Sequence, residues 1–181
     1  MTMLQTPADA RTREAYLALM WALSYPGQAH PLPPAANDFV TLGNTLLDLE
    51  TSFFCSDDAL AAQLRETGAR AKPAHEAAYL FLPHLASLDV IAEARLGDFQ
   101  YPDTGATLVI GCDFDASDAG ITTWRGPGIA VPRRVLVGGL PAGFWDLRAR
   151  LIRYPLGFDA FFVGRSRVMG LPRTTEVIGN Q

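Results

Sequence analysis

Lysine is nearly missing from this chain: Lys72 is the one copy among 181 residues. That leaves a single candidate for Schiff-base chemistry. Lys72 sits in ARAKPAHE, a loop-like stretch directly before Pro73, with no acid after a strand nearby to hold a pyridinium. Pyridoxal catalysis is therefore not expected. Cysteine is scarce too. Cys55 and Cys112 are the two copies, each among strand-like residues, and read as buried free thiols rather than a disulfide or a metal pair. The three histidines, His30, His75 and His84, lack metal-ligand spacing, and none lies beside a serine or cysteine it would activate. No apolar run reaches transmembrane length. The opening stretch MTMLQTPADARTREAY has no basic-then-apolar pattern, so a cytoplasmic location is expected. The chain also lacks excess positive charge. At a net −4 it is no general binder of nucleic acid.

Paired acids offer no more chemistry. Asp48 and Glu50 stand two apart near a helix end and do not share a face. Asp113, Asp115 and Asp118 span a turn but lack the glycine and terminal glutamate of a calcium loop. No catalytic residue, metal site or cofactor is expected.

What is present is a globular chain. Its length suits one domain, residues 1–181, with a real core, and 49% of its residues are hydrophobic. Thr6-Pro7-Ala8-Asp9 opens a helix with a hydroxyl cap and an early acid. Tyr16, Leu19, Met20 and Leu23 mark its apolar face, and Tyr25-Pro26-Gly27 ends it. Phe39, Leu42, Leu46 and Leu49 mark a second helix. Ser52 to Cys55 is a short strand, and Ser56 is placed to cap a third helix that ends before Gly68. Ala77 to Leu82 reads as a strand and His84 to Arg95 as helical. Ala106 to Cys112 is a continuous apolar run, the mark of a strand covered on both faces. Ile121 to Trp124 follows a polar turn as its expected antiparallel neighbour, and Arg134 to Val137 is a further strand. Pro141 is placed at the first position of a helix bearing Phe144, Leu147 and Leu151 on one face, with Arg148, Arg150 and Arg153 near its negative end. Phe158 to Val163, a turn at Gly164-Arg165-Ser166, and Arg167 to Leu171 form a strand pair. The pattern predicts an α/β fold, a mixed sheet flanked by helices.

Charge is split along the chain. Residues 1–120 hold 6 basic and 16 acidic groups, whereas residues 121–181 hold 9 arginines and 3 acids. Either one surface serves an anionic partner or the halves pair across the fold. Arg173 with Thr174 and Thr175 is the best anion-binding candidate, a guanidinium beside two hydroxyls. A structural ion pair or a subunit interface is the plainer reading. Arg125, Gly126 and Gly128 invite a phosphate-loop reading, since glycine-turn N–H groups cradle anions. The Walker lysine and hydroxyl are missing and Pro127 removes a donor, so a sharp strand-to-strand turn is favoured.

The run YPLGFDAFFV (154–163), followed by GLPRTTEV (170–177), resembles the C-terminal signature of the PhnH family. These are accessory subunits of the bacterial carbon–phosphorus lyase system. LSYPG (23–27), YPDTGATLVI (101–110) and RGPGI (125–129) fall in the family's order. Leu17 and Ala18 stand where the family usually has an arginine. The resemblance implies a reduced large domain of the pyridoxal-phosphate-dependent transferase kind, without the cofactor. It also implies a non-catalytic subunit of the assembly that joins a phosphonate to the ribose of ATP, yielding ribose 1-phosphonate 5-triphosphate. Implied partners are PhnG, PhnI and PhnJ, with a homodimer in isolation. The alternative is a nucleotide- or phosphonate-binding domain that uses the C-terminal arginine cluster.

Overall fold

The computed structural model describes residues 6–116 and 120–179. Its first helix, α1 (Pro7–Ser24), starts as the sequence predicts. The Thr6 hydroxyl accepts from the Asp9 N–H and the Asp9 carboxylate accepts from the Thr6 N–H, a reciprocal capping box. Next come β1 (Ala29–Pro31), α2 (Asp38–Leu46) capped by Asn37, β2 (Ser52–Cys55) and α3 (Asp58–Arg65). The cap of α3 is Asp57, whose carboxylate accepts from the Leu60 N–H at 2.7 Å, and not Ser56. Short β3 (Arg70–Ala71) and β4 (Tyr79–Leu82) follow. The expected helix over 84–95 shrinks to one turn, α4 (Asp89–Ala92). Before it the Ser87 hydroxyl accepts from the Asp89 N–H, a local turn that competes with helix.

Among the described residues, seven strands form the main sheet in the order β1-β9-β8-β5-β4-β2-β3. Here β5 is Thr107–Gly111, β8 is Asp159–Gly164 and β9 is Arg167–Leu171. Strands β3, β2, β4, β5 and β8 run parallel, while β9 and β1 add on antiparallel, so the sheet is mixed. Strand alternation sends Phe81, Val109, Phe161 and Val163 to the face covered by α1, α2 and α3. Leu80, Leu82, Leu108, Ile110 and Phe162 go to the opposite face. That face is covered by α5 (Phe144–Leu151) and by a three-stranded sheet in the order β10 (Glu176–Gly179), β6 (Ile121–Gly126), β7 (Ile129–Leu136). An aromatic cluster seals this layer. Phe144 meets Trp145 edge-on at 4.9 Å, and Phe162 lies about 6 Å from Phe144, Trp145 and Trp124. The fold is therefore α/β with a mixed sheet flanked by helices. No helix among the described residues is long and apolar enough to cross a membrane.

Three further expectations need correction. Strand β6 (Ile121–Gly126) does not neighbour β5; it pairs with β7 (Ile129–Leu136) and β10 (Glu176–Gly179). Both edges of β5 are taken by the parallel strands β4 and β8. The alternation in β6, with Thr122 and Trp124 buried and Arg125 exposed, suits a sheet covered on one face. Helix α5 begins at Phe144, three residues after Pro141, because Gly143 at φ +83° stands outside helical conformation. The Pro141 carbonyl instead accepts from the Phe144 N–H in a preceding turn.

The third correction concerns α1. Its buried residues are Ala15, Ala18, Leu19 and Ala22. Of the expected face only Leu19 is buried, and Tyr16 and Met20 are exposed. Gly170 in β9 explains the reversal. A Cβ there would lie 2.5 Å from the Ala22 carbonyl oxygen. The helix backbone rides so close on the strand that alanine fits beneath it and large side chains do not.

Candidate functional site

Around the start of β10 stand two ion pairs of unlike burial, Arg173–Asp159 and Arg125–Glu176, and the buried Arg148. Arg173 is held at the end of β9. Its backbone N–H donates to Asp159 Oδ1 at 2.7 Å, and its Nε and Nη2 donate to Asp159 Oδ2 at 3.2 and 2.8 Å. Its Nη1 donates to the carbonyl of Pro102 at 2.6 Å and more weakly to that of Pro155 at 3.4 Å. The side chains of Arg173 and Asp159 are 13% and 26% exposed. Arg173 thus ties together the 102–105 turn, the 155–159 segment and its own loop. Gly105 abuts the Gly157 carbonyl and the Arg173 guanidinium, a fit that leaves no room for a Cβ.

Arg125 makes a bidentate pair with Glu176, Nε to Oε2 at 2.7 Å and Nη2 to Oε1 at 2.9 Å, across facing positions of β6 and β10. The pair lies in solvent. It holds the Glu176 carboxyl below its ordinary value, chiefly by the hydrogen bond from Arg125. Gly126 and Gly128 form the tight β6–β7 turn, at φ +144° and +78°. The two glycines point at different neighbours. Gly126 packs on the backbone of Thr174 and Thr175, whereas Gly128 packs on the Ser24 carbonyl at the end of α1. The structure therefore gathers Arg125, Gly126, Thr174 and Thr175 around the start of β10, sets Arg173 just behind them, and leaves Gly128 apart.

Arg148 was legible only as a cation near a helix end. It is in fact 4% exposed. Its Nη2 donates to the carbonyls of Pro172 and Thr175 at 3.0 and 3.1 Å, and its Nε has no partner. Burial pulls its pKa down to about 10, with the Asp159 charge opposing the shift. The sequence did carry a signal: Arg148 lies four residues after Phe144 and beside Leu147, on the apolar face of α5. Thr175, 2% exposed, also has a hydroxyl oxygen without a partner. Both residues line a pocket of about 350 Å³ with Trp145, Ile152, Tyr154 and Thr174.

Other polar groups offer less. Asp113 and Asp115 face Arg165, and Asp115 also pairs with Arg167. Asp118 lies outside the described residues. No group of three or more metal-binding side chains comes together among the described residues. Lys72 is bonded to Glu76 at 3.1 Å on the surface.

The chain matches the family described as bacterial phosphonate metabolism protein (PhnH) over residues 4–178. It belongs to the PhnH family. It is 31% identical over 186 residues to a Stutzerimonas stutzeri protein named "Putative C-P lyase subunit protein HtxG", covering 97% of this chain and 94% of that protein. It is 34% identical over 104 residues to a Rhizobium meliloti protein named alpha-D-ribose 1-methylphosphonate 5-triphosphate synthase subunit PhnH, covering 56% of this chain and 51% of that one. The motifs that carry the PhnH resemblance meet in space. YPDTG, YPLGFD and LPRTT converge on the Arg173–Asp159 pair, while LSYPG and RGPGI meet where Gly128 touches Ser24 and Pro26.

Proposed function

We propose that this protein is a non-catalytic member of a carbon–phosphorus lyase assembly of several different chains, supporting synthesis of ribose 1-phosphonate 5-triphosphate from ATP and a phosphonate. The observation that carries the reading is the outward face of α1. Tyr16, Leu17, Met20, Trp21 and Tyr25 are between 37% and 57% exposed, and the Trp21 and Tyr25 rings stack at 5.6 Å. They recur at three- and four-residue intervals, so they form one continuous stripe. Aromatic residues and methionine clustered in solvent are the composition of a protein interface core. Two relatives named as subunits, one matched over nearly its whole length, support the same reading.

Under this reading the partners are PhnG, PhnI and PhnJ in the cytoplasm, with a homodimer in isolation. Residues 1–181 act as one domain. The mixed sheet is a reduced form of the large domain of pyridoxal-phosphate-dependent transferases. The second reading is a nucleotide- or phosphonate-binding domain built on Arg125, Gly126, Gly128, Arg173, Thr174 and Thr175. It fits less well, because the Arg125 and Arg173 guanidinium groups already hold Glu176 and Asp159.

Co-expression with PhnG, PhnI and PhnJ tests the proposal. The parent chain co-purifies in fixed stoichiometry. Trp21→Glu melts like the parent, since Trp21 faces solvent, yet weakens association by about 2 kcal/mol, roughly thirtyfold. A parent chain that does not co-purify overturns the reading as an assembly member. A folded Trp21→Glu variant that co-purifies unchanged overturns α1 as the docking face.

A further inference from the structure

We propose that the outer edge of β7 takes up an acidic, extended segment of a different protein chain as the fourth strand of the small sheet. The backbone makes the first part of the case. β7 is eight residues long and ends the order β10-β6-β7, whereas β10 at the other end lies against α5. The Val137 N–H donates to the Gly120 carbonyl at 3.3 Å, on the β6 side. Gly138 turns the other way and exchanges two hydrogen bonds of 2.9 Å with the Asp113 backbone. Strand alternation then points the N–H and C=O groups of Arg134 and Leu136 away from β6, on the side of Gly138. Among the described residues no backbone group pairs with them there. Pro132, next along that side, has no N–H to offer, so the open stretch is short.

Charge selects the occupant. Residues 119–145 hold Arg125, Arg133 and Arg134 and no acid. Arg125 takes Glu176, and the Gln28 carboxamide oxygen accepts from both terminal nitrogens of Arg133. Neither Arg133 nor Arg134 meets a carboxylate among the described residues, so this is a basic edge on a chain of net charge −4. A second copy is a poor occupant. Antiparallel self-pairing along this stretch brings the two Arg134 side chains to facing or diagonal positions on one face, where like charges repel. Proline and arginine also guard an edge against stray neutral strands, which leaves it selective for an acidic one. Side chains refine the match. Thr122 and Trp124 are buried opposite Val135 and Arg133, so Arg134 and Leu136 stand on the outer face of the sheet with Ile121 and Thr123. Ile178 of β10, 41% exposed, shares that face. An incoming strand fits with an acid opposite Arg134 and, two positions away, an apolar residue opposite Leu136. No side chain of α1 is used, so failure of α1 as a docking face leaves this edge standing.

Amide NMR of the purified full chain, titrated with an end-capped Thr-Val-Thr-Glu-Thr peptide at fixed ionic strength, tests the edge. The Arg134 and Leu136 signals shift and saturate. A peptide with lysine in place of the glutamate binds roughly tenfold more weakly, having lost its charge-assisted contact. So does the glutamate peptide N-methylated at its valine and glutamate, which keeps the charge but loses the N–H groups aimed at β7. Arg134→Glu, at an exposed position, melts like the parent and reverses the preference to the lysine peptide. The N-methylated probe keeps the test decisive if that variant misfolds, because it leaves the protein unaltered. No saturation, equal binding of the N-methylated peptide, or an unchanged preference in folded Arg134→Glu overturns the proposal. Concentration-dependent shifts of the same two amides in the chain alone overturn it in favour of self-pairing.

Discussion

Replacing Arg173 by alanine is the sharpest test of what holds the C-terminal corner together. The change removes two charge-assisted hydrogen bonds from Asp159 Oδ2 and the short bond to the Pro102 carbonyl. Asp159 keeps only the bond from the residue 173 N–H. Its carboxylate, 26% exposed, is left poorly solvated and without its counter-charge. Breaking a buried pair by deleting one partner costs about 3–5 kcal/mol. Because some water reaches this pair, the loss sits near the lower end, about 3 kcal/mol, or roughly 6–12 °C in melting temperature for a chain of this size. Arg125→Ala is the matched control: the same pair chemistry, also bidentate, but with side chains 57% and 55% exposed. That variant changes stability little. Urea unfolding of both variants, with Asp159→Asn added to close a double-mutant cycle, provides the measurement. Equal shifts for Arg173→Ala and Arg125→Ala, or none for Arg173→Ala, refute the burial argument.

Three further outcomes follow from the same structure. Gly170→Ala drives a Cβ against the Ala22 backbone, so denaturant midpoints fall by the equivalent of about 1–3 kcal/mol, and a neutral result contradicts the close α1–β9 contact. Burial pushes the Cys112 thiol up to about 12, with the Asp113 charge adding to it, and raises Cys55 as well. A thiol-reactive dye at pH 8 therefore labels neither cysteine quickly until the chain is unfolded. Burial lowers the pKa of His30 below its ordinary 6.5, so the unfolded chain takes up that proton first. The stability it contributes is complete above pH 6.5 and is lost as pH falls through the lowered value. Melting curves on the acid side flatten in His30→Leu, and an unchanged slope rules this out.

Local signals survived into the structure where neighbours in sequence decide the outcome. The Thr6 cap, the continuous apolar run of β5, the Gly164-Arg165-Ser166 turn and the glycine turn at 126–128 all depend on a few adjacent residues. What depended on remote contact was not legible. Hydropathy ranks Tyr16 and Met20 above Ala18 and Ala22, but Gly170, about 150 residues away, admits only small side chains beneath α1. Strand β6 finds β10 some fifty residues later rather than β5 beside it. Among the site candidates, Arg173 with Thr174 and Thr175 was visible as a cluster, and RGPGI as a turn. The burial of Arg148 was not, because a cation in the last turns of a helix has a sufficient explanation in the dipole. Its place on the face of Phe144, Leu147 and Leu151 was the overlooked clue.

Hydrogen exchange measured before and after mixing with PhnG, PhnI and PhnJ tests most directly whether this chain works by docking through α1. Residues 16–25 gain protection on assembly, while β5, already buried between two parallel strands, does not change. An assembly that forms with the exchange of α1 unaltered contradicts it.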